Sequence, residues 1–305
     1  MLRLVGGAMK LEEKLQEISD LINERMDDLL PSISEGVKGE RRIAEAMRYT
    51  AMSGGKRLRP FLVVASADLF GVSRSSSLQV AAAVEFLHAY SLIHDDLPSM
   101  DNDDMRRGQP SSHIKFDEAT AILAGDALLT LVFEVISHPT THSDAIVRSD
   151  LVQTIAQAGG THGLIGGQMM DMLSEGQELP LPEISRLQRM KTGALFALSC
   201  ELGAIMGKAS RHCRNALRGF ANDVGLAFQI ADDLMDAEGL SSKAGKKTGK
   251  DALAGKATFV TALGIEKAKK QAQMLVEQAG KHLDVFDHRA DVLREFASFV
   301  VNRQR

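Results

Sequence analysis

Apolar residues recur at three- and four-residue spacing along almost the whole chain, and sustained alternation of apolar and polar residues is absent. That periodicity is helical and leaves no strands for a sheet-based fold. Leu11, Leu15, Ile18, Leu21, Ile22 and Met26 trace one helical face. The run 79–93 is apolar nearly all round, which predicts a helix buried at the centre of a bundle. Further buried stretches are expected over 119–136, 151–172, 192–206 and 214–236, with amphipathic helices over 266–302 closing the bundle. Turn residues cluster at 71–77, 137–143, 176–182 and 239–255. With seven prolines and no tryptophan, the composition also leans to helix. The expectation is one all-α domain over 1–305, with roughly ten or more helices of about 10–20 residues.

Composition narrows the function classes. A net charge of -4 gives no global basic field for nucleic acid. Cys200 and Cys213 are too few for a disulfide framework and lack zinc spacing; Cys200 reads as a small core residue. The apolar start, 1–9, is too short for a signal peptide. No run approaches the ~18 apolar residues of a membrane span. A cytoplasmic protein without stable membrane insertion is expected.

Two acid-rich stretches carry the chemistry, each at the end of an apolar helical run. The first runs from His94-Asp95-Asp96 through Asp101 to Arg106-Arg107-Gly108; the second is Asp232-Asp233-Leu234-Met235-Asp236. Asp232 and Asp236 share one helical face, with Asp233 roughly a hundred degrees round. Carboxylates so close repel unless a cation sits among them. Asp95 and Asp101 would diverge on an ideal helix, but Pro98 should end the helix near Leu97 and let the loop fold Asp101 back. Asn102, Asp103 and Asp104 extend the acidic run as solvated residues. Oxygen-only donors favour Mg²⁺ or Mn²⁺ over zinc. Mg²⁺ prefers a few carboxylates plus substrate phosphates, so a phosphorylated ligand is implied. Arg106 and Arg107 offer forked donors for phosphate oxygens. Upstream, Gly54-Gly55-Lys56-Arg57-Leu58-Arg59-Pro60 joins close-approach glycines to three cations, though a solvated basic turn would look the same. Lys191, Lys246 and Lys256 are isolated basic features that spacing does not assign, and 239–250 is not a Walker phosphate loop.

These residues resemble the trans-polyprenyl diphosphate synthases, and most closely the bacterial farnesyl diphosphate synthases. The matching segments are Gly54 to Pro60, Glu85 to Asp96, Asp101 to Gly108, Leu123-Ala124-Gly125-Asp126-Ala127-Leu128, Gly166-Gly167-Gln168 with Asp171, Lys191-Thr192-Gly193, and Phe228 to Asp236. They keep the family's order over about 200 residues. The resemblance implies a helical bundle around a deep central cavity, usually a homodimer. It implies that Asp95, Asp96, Asp101, Asp232, Asp233 and Asp236 hold Mg²⁺, three ions per site with Mn²⁺ as a substitute, on an allylic diphosphate. Arg106, Lys191, Thr192, Gln229, Lys246 and Lys256 would contact the same diphosphate. Lys56, Arg59, His88 and Arg107 would hold isopentenyl diphosphate. Arg57 is then structural or peripheral, and Gln168 and Asp171 help order the metal shell and cavity. Two departures stand out: Phe259-Val260 where Tyr-Pro is frequent after the lysine, and Asn102 where aspartate is frequent.

The implied catalysis uses Asp95, Asp96, Asp101, Arg106, Lys191, Asp232, Asp233 and Lys246 to draw off diphosphate. The resulting allylic cation is attacked by the isopentenyl double bond, and a proton is then lost. Water must be excluded, and 239–255 is a candidate lid. Tyr90 lies five residues before Asp95, about 7–8 Å deeper along the helix. An aromatic there goes with a fifteen-carbon product in the resembling family; plain core packing is the competing reading, and small Ser91 beside it weakens a complete plug. A twenty-carbon product and a noncatalytic partner subunit stay open as alternatives. A terpene cyclase would not need Lys56, Arg59 and His88 or an intact second acidic motif.

Overall fold

The computed structural model describes residues 10–177, 179–238 and 258–302. Lys246, Lys256 and the whole of the candidate lid, 239–255, lie outside them. Helices dominate in the order α1 (Leu11–Leu29), α2 (Lys38–Ala51), α3 (Leu58–Asp68), α4 (Arg74–Asp95), α5 (Ser112–Lys115), α6 (Glu118–Ser137), α7 (Ala145–Gly159), α8 (Leu164–Leu173), α9 (Leu181–Gln188), α10 (Ala194–Met206), α11 (Arg211–Ala237), α12 (Phe259–Leu263), α13 (Ile265–His282) and α14 (Asp291–Asn302). Between α4 and α5, β1 (Met105–Arg106) pairs antiparallel with β2 (Gln109–Pro110). A π-helical turn, Arg189–Gly193, leads into α10, and a 3₁₀ segment, Asp284–Ala290, precedes α14.

Local chemistry sets the helix starts. Ser73, Asp117, Asp144, Ser210 and Thr258 each accept a hydrogen bond from a backbone N–H in the first turn of α4, α6, α7, α11 and α12 respectively. Such caps satisfy donors that the helix itself leaves open. The expected buried stretch 151–172 is two helices, because the chain turns at Gly160 to Gly163. The expected break at 71–77 is shorter than drawn, since Ser73 starts α4 at Arg74.

The central-helix expectation holds: α4 is buried from Ser77 to Leu87 and again at Ala89, Tyr90, Ser91 and Ile93. It packs chiefly on α6 and α3, while α11 packs on α13 and α10. Phe61, Phe86, Phe196, Phe220, Phe286 and Phe296 fill the main core, each burial contributing about 1.5–3 kcal/mol. A smaller cluster of Ile184, Leu226, Ile230, Leu234, Phe259 and Leu275 ties α9, α11, α12 and α13 together beneath the second acidic stretch.

The expectation of no membrane-length helix needs correction. Over an 18-residue window α6 reaches a mean hydropathy of 1.9, long and apolar enough to cross a membrane by length and composition alone. Its charges are spaced so that no unbroken run forms, which is why a search for continuous apolar sequence passes over it. Half of that window is buried in the bundle.

Candidate active site

Pro98 acts as expected. α4 ends at Asp95 and the loop folds back, with the Asp101 N–H donating to the Asp95 carbonyl (2.9 Å) and the Asp103 N–H to that of Asp96 (3.2 Å). Asn102 sits at φ 49°, a left-handed conformation that asparagine tolerates better than most residues. Its departure from the frequent aspartate therefore suits the turn.

Arg106 and Arg107 are adjacent but serve different partners. Arg107 (φ 52°) and Gly108 (φ 77°) form the tight turn of the β1–β2 ribbon, and positive φ at both positions matches the twist of paired strands. Arg106 forks onto Asp96, with Nε and Nη2 2.5–2.9 Å from its two oxygens. Arg107 instead donates to the Gly54 carbonyl and to Ser53 (3.3 Å). A Cβ on Gly55, whose φ is 132°, would lie 3.0 Å from the Arg107 guanidinium. Gly55 thus supplies both the backbone shape and the room for the basic loop to meet the second arginine.

The basic loop continues into α3. Arg57, at φ 47°, is buried and pairs with Glu85 on α4 at 2.6 Å; it also donates to Asn23 (3.0 Å) and to the Ala51 carbonyl (2.9 Å). The structural reading of Arg57 is right. Its partner Glu85 carries no signal in sequence, since nothing local shows that an arginine 28 residues away is its counter-ion. Arg59 lies over the Phe196 ring at 5.2 Å and approaches His88 Nε2 at 3.4 Å. Burial, and then Arg59, Arg107, Arg106 and Arg57, hold the His88 pKa well below the usual imidazole range. At neutral pH His88 is a neutral hydrogen-bonding group in a strongly positive corner.

On the opposite wall, Lys191 lies in the π-helical turn and pairs with Asp171 of α8 at 2.5 Å. π-turns inside helices often mark functional positions. Gly167 permits the approach, since a Cβ there would lie 2.3 Å from the Lys191 backbone nitrogen. Thr192 donates to Gln229 (3.1 Å), Gln229 donates to Asp233 (2.9 Å), and the other Asp233 oxygen accepts from the Phe259 N–H (2.9 Å). This chain links the π-turn, α11 and the start of α12, so Phe259 enters its helix on a carboxylate. Asp233 is buried, while Asp232 and Asp236 are half-buried on an adjoining face.

Beneath Asp95 lies a cavity of about 420 Å³, lined mainly by Tyr90, Ser91, His94, Leu164, Gln168, Met169 and Met172. The Gln168 amide is buried, with no hydrogen-bond partner among the described residues. Burial is the main cause that pushes the Asp95 carboxyl up to about 6, with Lys191 opposing and Asp101 reinforcing. A bound cation would reverse that penalty. With an oxygen-only donor set, the residues present fit a hard divalent ion. Among the described residues no three of these carboxylates converge on one point. Mg²⁺ does not require it, since it keeps several waters and takes other ligands from substrate phosphates.

A helical bundle with an apolar cavity beneath Asp95, two carboxylate clusters and a basic loop suits a protein that binds an apolar, anionic ligand together with a hard cation. Comparison with known proteins agrees. The polyprenyl synthetase family matches residues 40–294. Farnesyl diphosphate synthase of Escherichia coli is 44% identical over 86% of this chain and 90% of its own. Geranylgeranyl diphosphate synthase of Cyanophora paradoxa is 42% identical over 86% and 87%. Among solved structures, an FPP/GFPP synthase from Zymomonas mobilis is 47% identical with a TM-score of 0.86, covering 95% of this chain and 98% of that one. The chain belongs to the polyprenyl synthetase family and is a trans-prenyltransferase. Its substrate classes are isopentenyl diphosphate and an allylic diphosphate, and the family generally uses Mg²⁺.

Proposed function

We propose that this single-domain prenyltransferase condenses isopentenyl diphosphate with dimethylallyl and then geranyl diphosphate and stops at (2E,6E)-farnesyl diphosphate. The observation that carries the chain length is Tyr90, a buried aromatic lining the cavity directly below Asp95. A chain growing down from the rim meets that ring after a few isoprene units. Geranylgeranyl diphosphate is the second reading, favoured by the relatives that make it and by small Ser91 beside the ring.

In this reading Asp95, Asp96, Asp101, Asp232, Asp233 and Asp236 would hold Mg²⁺, and Asp96 and Asp233 are also tied to Arg106 and to Gln229 and Phe259. These residues would hold three Mg²⁺ ions, which when bound would supply charge neutralisation for the allylic diphosphate as leaving group. Arg106 from one wall and Lys191, Thr192 and Gln229 from the other stabilise the developing negative charge on the allylic diphosphate, with Lys246 and Lys256 assigned there from the resemblance alone. Lys56, Arg59, His88 and Arg107 hold isopentenyl diphosphate; neutral His88 donates a hydrogen bond without adding charge. Leu164 and Met172 keep water from the allylic cation. The isopentenyl double bond attacks that cation, and the departed diphosphate takes the proton.

The chain works as a homodimer in this proposal. Ile122 and Leu123 of α6, with Ile165, Met169 and Leu173 of α8, are exposed, and α6 is apolar beyond what its buried half uses. A second copy of the chain covering these residues accounts for that hydropathy. A cytoplasmic location fits the two free thiols.

The test is incubation of purified protein with Mg²⁺, isopentenyl diphosphate and dimethylallyl diphosphate, followed by chromatography of the dephosphorylated alcohols. Farnesol is expected, and Tyr90→Ala should lengthen the product. Geranylgeraniol from the parent enzyme would discard the fifteen-carbon reading, and no product from any allylic starter would favour a partner-dependent subunit.

A further inference from the structure

We infer that His94 is a positioning residue for product length: its ring, seated on the bare backbone of Gly125, holds the Tyr90 ring in place. This rests on the reading of Tyr90 as the block to chain growth. His94 follows Tyr90 by four residues on α4, so the two share a face. Their rings meet edge to face, with centroids 5.0 Å apart and planes at 75°, a favoured aromatic geometry.

The His94 ring is itself fixed from α6. Its Nε2 lies 3.1 Å from the Ile122 carbonyl oxygen and 3.8 Å from an Asp126 carboxylate oxygen. An Nε2–H donor satisfies that carbonyl. The ring reaches it only because residue 125 is glycine: a Cβ there would lie 2.2 Å from Nε2 and 2.5 Å from Cδ2. Gly125 is helical, so its lack of a side chain, rather than its backbone freedom, is what the position uses. The Leu-Ala-Gly-Asp-Ala-Leu segment, which the catalytic reading leaves without a task, thereby gains one.

Three other side chains of the cavity wall yield more easily. The Ser91 hydroxyl is turned to the His88 carbonyl (2.9 Å), and across the cavity stand Met169 and Met172, whose unbranched side chains adapt to fill space. His94 is the ring that meets Tyr90 directly, and it is held from α6. Without its ring, or with the ring pushed off its seat, Tyr90 is free to swing aside, and the cavity accepts another isoprene unit.

The experiment measures the ratio of twenty-carbon to fifteen-carbon alcohol from the parent, Y90A, H94A, G125A and the H94A/G125A double variant, with Mg²⁺ and both five-carbon substrates. H94A and G125A should each raise the ratio roughly tenfold, equivalent to about 1.4 kcal/mol between the competing barriers. The double variant should match H94A, because the added methyl has no ring to displace. A general loss of structure would lower turnover without this pattern. Parental ratios in both single variants, alongside a lengthened product from Y90A, would overturn the role of His94. Fully additive shifts in the double variant would remove the Gly125 seat as the cause. A parental ratio in Y90A itself would instead sink the chain-length reading beneath it.

Discussion

Replacing Asp95 by asparagine should stabilise the metal-free protein while removing its activity. Asp95 has its carboxyl pushed from an ordinary value of 3.8 to about 6, chiefly by burial. At roughly 1.4 kcal/mol per tenfold change in acidity, holding it ionised at neutral pH costs the fold about 3 kcal/mol. Asparagine has nearly the same shape and no charge to desolvate. The sign follows from the raised folded value. Below pH 3.8 the carboxyl is protonated folded or unfolded and the penalty is absent. It grows between 3.8 and about 6 and is complete above that. The gap between variant and parent should therefore open over that window and then level off. For a chain of 305 residues, 3 kcal/mol corresponds to roughly 5 °C in melting temperature. The assay is thermal melting in EDTA from pH 4 to 7.5, repeated with Mg²⁺ and inorganic diphosphate, which should narrow the gap by stabilising the parent alone. Equal melting at pH 7 in EDTA, or a gap that does not vary with pH, would refute the argument that Asp95 is a strained carboxylate awaiting a cation.

Breaking the buried Arg57–Glu85 pair by Glu85→Ala leaves a buried guanidinium without its counter-ion and should lower stability by about 3–5 kcal/mol in denaturant titration; a loss below 1 kcal/mol would show that Asn23 and the Ala51 carbonyl suffice. Gly167→Ala drives a methyl into the backbone of the Lys191 turn, so kcat should fall at least tenfold with the isopentenyl KM little changed; an equal rise in both substrates' KM values would place the damage elsewhere. Cys200 is fully buried and its thiol pKa is pushed strongly up by that burial, so a thiol reagent on native protein should label Cys213 first and Cys200 only on unfolding. Labelling of Cys200 at the faster rate would show that the α10 core opens readily.

Much of the site was legible because it is local. Pro98 between two aspartates dictates a chain reversal whatever surrounds it, and the Asp101 N–H does return to Asp95. The i, i+4 relation of Asp232 and Asp236 needs only a continuous helix, which α11 supplies. Other features depend on partners far along the chain. Arg57 and Glu85 look alike to any exposed pair until α1, α2 and α4 enclose them. The split of 151–172 into α7 and α8, by contrast, is marked in the sequence itself by the turn residues Gly159-Gly160-Thr161-His162-Gly163, which an expectation of one buried stretch overlooks.

Apolar spacing along the chain determined by itself that the fold is helical, that α4 is central and that two carboxylate clusters stand at helix ends, because these follow from 3.6-residue geometry and the backbone limits of proline. Only the tertiary structure decided that Arg106 and Arg107 part company, that Asp233 braces the start of α12, that His88 is neutral and that His94 rests on Gly125. Each of these depends on which surfaces are pressed together and emptied of water, and burial of that kind is set by the whole packed bundle rather than by any window of sequence.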